Sequence, residues 1–282
     1  MQTGYTVRQA GKDDYVLLSN AIGTGQYVHR HLDWRDTLDW LGCQPFLILE
    51  KNQEIVALLA CPADSTRIAW IRSFVTVTGV LKPLDCWKIL FSEALKMNEA
   101  NPPIAYVTLG LQDWFDQVVL KDNFHLHQRI VILEWNGFLP PKHELPEGCL
   151  LRKMNSEDLP RVQQVDEKAF DPIWQNSMSD LEIALAQSPY ASVIESLQGI
   201  IGYQICTSTS FGAHLARLAV NPDLQRHHFG YVMVRDLQDH FKKQRVGMLT
   251  VNTQNTNHAS LALYRRMGFF LTGESFPVFT YP

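Results

Sequence analysis

The residues best suited to chemistry lie in a loop between a strand that ends at Val220 and a helix that begins near Phe229. A helix start directs free backbone N–H groups and the positive end of the helix dipole toward one spot, which suits a phosphate or pyrophosphate. Arg226 and His227 add positive charge there, and Gly230 lets a ligand approach the backbone closely. An ordinary strand-to-helix connection without a ligand has the same pattern, so the loop alone leaves both interpretations open.

A second stretch with chemical potential is the helix that follows the next strand. Ser260, Leu263 and Met267 share one face of this helix, and Gly268 is placed to end it. Tyr264 lies in the last turn, where its hydroxyl group is able to donate a proton. A core tyrosine on an amphipathic helix has the same spacing, so Tyr264 has a structural interpretation beside the catalytic one.

Taken together, the two stretches resemble the signatures of the GNAT acyl-CoA N-acyltransferase superfamily. The phosphate loop of that family, Q/R-x-x-G-x-G/A, corresponds to residues 225–230, with His228 in place of the first glycine. This side chain either crowds the pyrophosphate or points outward and donates a hydrogen bond to it. The resemblance covers about residues 150–282. The second signature, N-x-x-A/S-x-x-L-Y followed by G-F, corresponds to Asn257, Ser260, Leu263, Tyr264, Gly268 and Phe269.

The resemblance implies an N-acyltransferase that uses acetyl-CoA as its co-substrate and needs no metal. The backbone of Leu218, Ala219 and Val220 is then expected to pair with the pantetheine arm, as an added strand would. Tyr264 is expected to protonate the departing CoA thiolate as general acid, and Asn257 to hydrogen-bond the pantetheine region. The pyrophosphate is expected to lie against the N–H groups of Gln225, Arg226, His227, His228, Phe229 and Gly230.

The acceptor implied by the resemblance is a primary amine of a small molecule or peptide, which attacks the thioester carbonyl directly. The amine must lose a proton, and the sequence offers two candidate bases. His214 stands at the start of the motif strand, and its imidazole titrates near neutral pH. Glu195 ends the preceding hairpin strand. Transfer of the proton through water is a third route, and the sequence leaves the three open.

The domains that position these residues are separated by a proline-rich segment, residues 139–148, which contains three prolines and a glycine. Such a segment fits neither a helix interior nor a central strand. It predicts a linker between a domain at residues 1–138 and a catalytic domain at residues 149–282. The second half has the predicted order β-α-α-β-β-β-α-β-α-β, and the first half repeats it more faintly. We therefore predict an α+β fold of two tandem GNAT-like domains, each a mixed, mostly antiparallel sheet flanked by helices.

The first half lacks the residues that the chemistry needs. Pro83 and the apolar pair Val80 and Leu81 stand where the phosphate loop would be, and Phe115 falls where the tyrosine would be. Because phenylalanine cannot protonate a thiolate, this half is predicted to be a degenerate copy that provides a scaffold or shapes the acceptor groove. Within it, residues 27–40 fit either an acceptor-binding lip or an amphipathic helix, and we favour the helix.

Composition excludes several other classes. The 282 residues are 46% hydrophobic and 19% charged, which is typical of a globular protein of about two domains. A net charge of −4 argues against binding nucleic acid through a basic surface. There is no apolar run of about 18 residues and no secretory start, so a cytoplasmic protein without a membrane partner is expected. The five scattered cysteines form no CxxC pair, which disfavours a disulfide framework or a zinc site.

An alternative of a different class is a catalytically inactive domain that binds CoA or acyl-CoA as a sensor, or a module that binds a protein partner. His228 in the phosphate loop is the feature that favours this alternative. The sequence leaves open the acceptor, the acyl chain length and the oligomeric state, a homodimer included.

Overall fold

The protein consists of two compact units in a computed structural model that describes residues 4–64, 67–77, 79–209 and 212–282. Unit 1 comprises the chain up to His127 together with Pro277–Pro282, and unit 2 comprises Gln128–Phe276. The last six residues of the chain therefore belong to unit 1, and unit 2 begins before the proline-rich segment. Among the described residues, no helix is both long enough and apolar enough to span a membrane.

Unit 1 contains an antiparallel sheet of five strands in the order β1-β3-β4-β6-β2. In addition, β5 pairs in parallel with β7, and β7 pairs in antiparallel fashion with the last residues of β14. Its helix α2 buries Trp87 and Phe91 against the sheet because these side chains recur on one helical face. The elements are β1 (Tyr5–Gln9), α1 (Tyr15–Thr24), β2 (Tyr27–Arg30), β3 (Phe46–Lys51), β4 (Glu54–Ala60), β5 (Ile68–Trp70), β6 (Ser73–Thr76), α2 (Pro83–Met97), β7 (Ala105–Leu109) and α3 (Asp113–Leu120).

Unit 2 contains a sheet in the order β8-β13-β12-β11-β10-β9, in which only β12 and β13 are parallel. The predicted element order of the second half and the mixed, mostly antiparallel α+β fold are confirmed. The elements are β8 (His125–Trp135), β9 (Leu150–Lys153), α4 (Leu159–Ala169), α5 (Met178–Gln187), β10 (Ala191–Ser196), β11 (Gly199–Thr209), β12 (Gly212–Val220), α6 (Phe229–Lys243), β13 (Leu249–Gln254), α7 (His258–Arg266) and β14 (Phe269–Tyr281).

The core of unit 2 fixes the two helices that carry the sequence motifs. Helix α6 buries Val234, Leu237 and Phe241, which recur at helical spacing and pack against the strands. Gln238 lies on the same buried face, and its Nε2 donates to the carbonyl oxygen of Met267 at 2.6 Å. This hydrogen bond ties α6 to the end of α7, so the starts of both helices are held in place relative to the sheet.

The proline-rich segment lies along α6 and forms neither helix nor strand over residues 136–149. The Tyr231 hydroxyl donates to the Pro141 carbonyl at 2.8 Å, and Arg235 Nε donates to the Pro140 carbonyl at 2.7 Å. The compact units divide at residue 128 rather than in this segment. The linker at 139–148 and the domains at 1–138 and 149–282 therefore stay predictions of the sequence.

Candidate active site

Strands β12 and β13 of unit 2 start side by side and then separate. Their parallel pairing ends at Leu215 and Val251, and among the described residues β12 has no further partner on that edge. The separation coincides with a β-bulge, because Arg217 lies opposite Ile205 while Leu215 lies opposite the next residue along β11, leaving Ala216 unpaired. Beyond the bulge, the edge of β12 presents backbone N–H and C=O groups to a cleft.

The cleft between the separated strands has a volume of about 190 Å³. It brings together three of the predicted site residues, Leu218, Asn257 and Tyr264, with several that the sequence analysis did not single out. The lining residues are Ile130, Phe170, Trp174, Leu215, Ala216, Arg217, Leu218, Asn252, Thr253, Gln254, Asn257, Ser260 and Tyr264.

Tyr264 lines the cleft from the last turn of α7, and only 4% of the residue is exposed. Its ring lies 5.7 Å from that of Phe269 between ring centroids. Burial raises the pKa of the hydroxyl well above its ordinary value, because the charged phenolate would lose its hydration. The hydroxyl group therefore keeps its proton at neutral pH, which is the state that a general acid requires.

Asn257 begins helix α7 and also lines the cleft. Its Oδ1 accepts a hydrogen bond from the Ser260 backbone N–H at 3.1 Å, which caps the helix. Its Nδ2 lies 3.4 Å from Gln254 Oε1, to which it donates. The carboxamide is therefore held at the start of α7, at the margin of the cleft. There a ligand amide would replace Gln254 as the acceptor of its Nδ2 hydrogen bond.

The loop between β12 and α6 has the helix-start geometry that the sequence predicts. Helix α6 begins at Phe229, so the N–H groups of its first turn have no acceptor within the helix. Arg226 and His228 adopt left-handed conformations with φ of 68° and 63°, a region that favours glycine. At Gly230 an added Cβ would lie 3.3 Å from Leu263 Cδ2, so this glycine also lets α6 and α7 pack closely.

The His228 side chain contacts the proline-rich segment, and the two alternatives for its role toward a pyrophosphate stay predictions. Its ring stacks on that of His143, with centroids 4.7 Å apart and an interplanar angle of 13°. The His143 ring in turn meets the Tyr231 ring edge to face at 4.6 Å. The imidazole thus packs on His143 of the proline-rich segment.

Of the two candidate bases, His214 lies one residue away from the cleft lining. Its Nδ1 is 2.8 Å from Thr250 Oγ1, and its Nε2 is 3.3 Å from Oδ1 of Asn252, which does line the cleft. Burial lowers the pKa of the imidazole, so His214 is neutral at physiological pH and able to accept a proton. A proton from the cleft would have to reach it through Asn252 or a water molecule.

Glu195, the other candidate base, is not brought to the cleft. Its Oε2 accepts from Arg152 Nε at 2.7 Å on the β9–β10 edge. The same contact recurs in unit 1, where Arg8 Nε donates to Glu50 at 2.8 Å. A carboxylate that forms the same ion pair in both copies is a structural feature of the repeat.

Unit 1 has the same strand arrangement, but its own chain fills the position of the cleft. Strands β5 and β7 pair in parallel up to Trp70, as β12 and β13 do up to Leu215. Beyond Trp70, the corresponding edge belongs to β6, and this edge is paired with β2 over Tyr27–Arg30. Gly25 makes this possible, because a Cβ there would lie only 2.6 Å from the Val75 side chain.

The side chain of His29 also helps to fill the position of the cleft in unit 1. It is fully buried, its ring stacks on Phe115 at 3.9 Å, and its two nitrogens lie 3.3 Å from Gln112 Oε1 and Thr108 Oγ1. The predicted amphipathic helix over residues 27–40 is therefore wrong: a strand, Tyr27–Arg30, and a short 3-10 helix, Thr37–Trp40, stand there.

Two functional candidates were missed by sequence reasoning, Asp166 in α4 and Arg217 in β12. Arg217 Nη2 donates to Asp166 Oδ1 at 2.6 Å, and both side chains are buried. A signal did exist: Asp166 falls on the apolar face formed by Val162 and Val165, and Arg217 interrupts an apolar strand. A charge at a core position implies a buried partner, which the sequence alone does not identify.

Three solved structures share this fold over almost the whole chain. A GCN5-related N-acetyltransferase from Sphaerobacter thermophilus aligns with a TM-score of 0.63 at 13% identity, covering 100% of this chain and 96% of its own. A tandem GNAT protein from the clavulanic acid biosynthesis pathway aligns with a TM-score of 0.64 at 12% identity and 98% coverage of both chains. A probable N-acyltransferase from Enterococcus faecalis aligns with a TM-score of 0.72 at 9% identity, covering 98% of this chain and 71% of its own. Identities this low establish the fold alone.

The second half of the chain also matches a protein family in sequence. Residues 159–269 match the model of the acetyltransferase (GNAT) family. This range contains β12, the loop before α6 and the whole of α7, which are the elements that form the cleft. No curated protein sequence matches the chain significantly.

Proposed function

The chain carries a domain of the acetyltransferase (GNAT) family at residues 159–269 and has a tandem GNAT fold, and from this premise we propose that it transfers an acetyl group from acetyl-CoA to a primary amine of a small molecule or peptide. The observation that carries the proposal is the separation of β12 from β13 beyond Leu215, with Tyr264 lining the resulting cleft. An open strand edge beside a protonated phenol supplies both a binding surface and a proton donor.

The pantetheine arm is proposed to pair with the backbone of Leu218, Ala219 and Val220. Its amide groups would occupy the edge of β12 that β13 leaves, which is how an extended peptide adds to a sheet. Asn257 would hydrogen-bond the arm from the other side. The bulge at Ala216, where β12 and β13 separate, supports the fit of such a ligand.

The pyrophosphate is proposed to bind the N–H groups of residues 225–230 at the start of α6. Anion binding at such a position gains from the orphan donors and from the helix dipole. The stacking of His228 on His143 supports the fit, since it gives the imidazole a packing partner on the proline-rich segment.

The proposed reaction is a direct attack by the amine nitrogen on the thioester carbonyl carbon. The C–N bond forms as the carbonyl electrons move to oxygen, where a backbone N–H near Val220 would stabilise the oxyanion. The C–S bond then breaks, and the thiolate takes the proton of the Tyr264 hydroxyl, which solvent later replaces. The amine proton leaves through water, with His214 as a neutral acceptor behind Asn252.

The test is release of free CoA thiol from acetyl-CoA in the presence of a panel of amines, alongside thermal unfolding with and without acetyl-CoA. We expect acetyl-CoA to raise the unfolding temperature, because it binds only the folded state, and at least one amine to give turnover. A thermal shift without turnover for any amine would support the alternative of a CoA-binding sensor. No shift at millimolar acetyl-CoA would contradict both.

A further inference from the structure

Arg217 occupies a special position in the cleft of unit 2. It follows the bulge residue Ala216 directly, and it is the only charged residue among the described residues that line the cleft. Its side chain is 11% exposed. A buried guanidinium that faces a cavity must either be satisfied within the protein or bind what enters the cavity.

The hydrogen bonds of Arg217 use only part of its donor set. Nε and Nη2 both donate to Asp166 Oδ1, at 2.9 and 2.6 Å, and Nη2 also donates to the Trp174 carbonyl. Nε further lies 3.2 Å from the Tyr203 hydroxyl oxygen. Within the part of the chain that the structure describes, Nη1 has no acceptor, so one end of the fork remains available for a ligand.

In unit 1, the arginine at the corresponding position has both terminal nitrogens beside carboxylates. Arg72 lies two residues beyond the end of the parallel pairing at Trp70, as Arg217 lies two residues beyond Leu215. Its Nη1 lies 2.7 Å from an Asp33 carboxylate oxygen, and its Nη2 lies 3.5 Å from Asp64. Both terminal nitrogens therefore face carboxylates in the filled copy, whereas only one does in the open copy.

We propose that Arg217 binds a carboxylate group of the acceptor, so that the acceptor is an aminocarboxylate such as an amino acid. The inference rests on the proposed acyltransferase function. The guanidinium carbon lies 3.7 Å from the centre of the Phe170 ring, on the wall formed with Trp174. Phe170 and Trp174 lie outside β12, whose edge is assigned to the acyl-CoA, and we therefore assign the ligand group that Nη1 would bind to the second substrate.

Matched acceptors test the proposal on the wild-type protein. Each of a panel of amino acids is compared with its primary amide, with free thiol release as the readout. We expect kcat/KM to favour the carboxylate member of a pair by about 10- to 100-fold, as expected for a charge-assisted hydrogen bond. The amide has the less basic amine and hence more of the reactive free base, so intrinsic reactivity works against the expected preference.

Arg217→Lys is the informative variant, because it keeps a positive charge beside Asp166 but cannot hold Asp166, the Trp174 carbonyl and a ligand at once. We expect the KM for the amino acid to rise about 10-fold or more, the KM for acetyl-CoA to stay within about twofold, and the preference over the amide to disappear. Arg72→Lys is the matched control at the same position of unit 1. It is expected to lower the unfolding temperature without changing the acceptor preference.

Two results would overturn the proposal: equal use of acids and amides by the wild type, or an Arg217→Lys variant that loses kcat equally for both. The second would place Nη1 on the thioester oxygen rather than on the acceptor. If no amine of either kind releases thiol and acetyl-CoA gives no thermal shift, the proposed function fails instead, so the two failures are distinguishable.

Discussion

In unit 1 the edge of β6 is paired with β2 over Tyr27–Arg30, whereas in unit 2 the corresponding edge of β12 has no strand partner beyond Leu215 among the described residues. The two sheets otherwise share the parallel pair that leads into this edge. A four-residue strand from the same chain therefore suffices to close a cleft that the fold would otherwise leave open. The architecture supplies the position of the cleft, and the local sequence decides whether the cleft is open.

The two units also differ in the aromatic residue at the corresponding position of α3 and α7. Phe115 of unit 1 is fully buried against His29, while Tyr264 of unit 2 lines the cavity and has a hydroxyl group with a raised pKa. In one copy the ring packs in the core, and in the other it carries the proposed proton donor.

The largest effect is expected from Tyr264→Phe. The change removes the proposed proton donor and keeps the ring, so kcat should fall by about 100-fold or more while the Kd for acetyl-CoA changes little. Steady-state kinetics and calorimetric titration measure the two quantities. Tyr106→Phe is the control, because it removes a buried hydroxyl in unit 1 that accepts from Asn98 at 2.8 Å. A Tyr264→Phe variant with unchanged kcat would assign the proton to another donor.

The filled cleft of unit 1 should make stability depend on pH. Burial lowers the pKa of His29 to about 4, so the unfolded chain takes up a proton below pH 6.5 that the folded protein refuses. The unfolding free energy should therefore have its full value above pH 6.5 and fall by about 2 kcal/mol as the pH is lowered to 5. In His29→Gln the slope between these values should be smaller. Urea unfolding at several pH values checks this, and equal slopes for both proteins would show that His29 titrates normally.

The smallest effect is expected from His228→Gly. Glycine relieves the left-handed strain at this position but gives up the ring stacking on His143, and both terms are about 1 kcal/mol. Because the ring packs on the proline-rich segment, the Kd for acetyl-CoA should change by less than about threefold. A large loss of affinity, measured by calorimetric titration, would show that the imidazole holds a phosphate.

Sequence reasoning found the elements of unit 2 because its signals are local. The helix start near Phe229 and the placing of Gly268 at the end of α7 each follow from neighbouring residues. It failed for Tyr27–Arg30, since a four-residue strand has no periodicity of its own and forms only by pairing with β6. The same limit applies to Asp166 and Arg217, whose pairing joins residues 51 positions apart.

The central claim is that acetyl-CoA binds the open edge in unit 2 and leaves the filled edge of unit 1 alone. Hydrogen exchange followed by mass spectrometry, with and without acetyl-CoA, tests both parts in one measurement. We expect slower amide exchange over residues 216–220 and 226–231 and unchanged exchange over residues 73–76. Unchanged exchange over the first two segments, or protection that appears at 73–76 instead, would contradict the account.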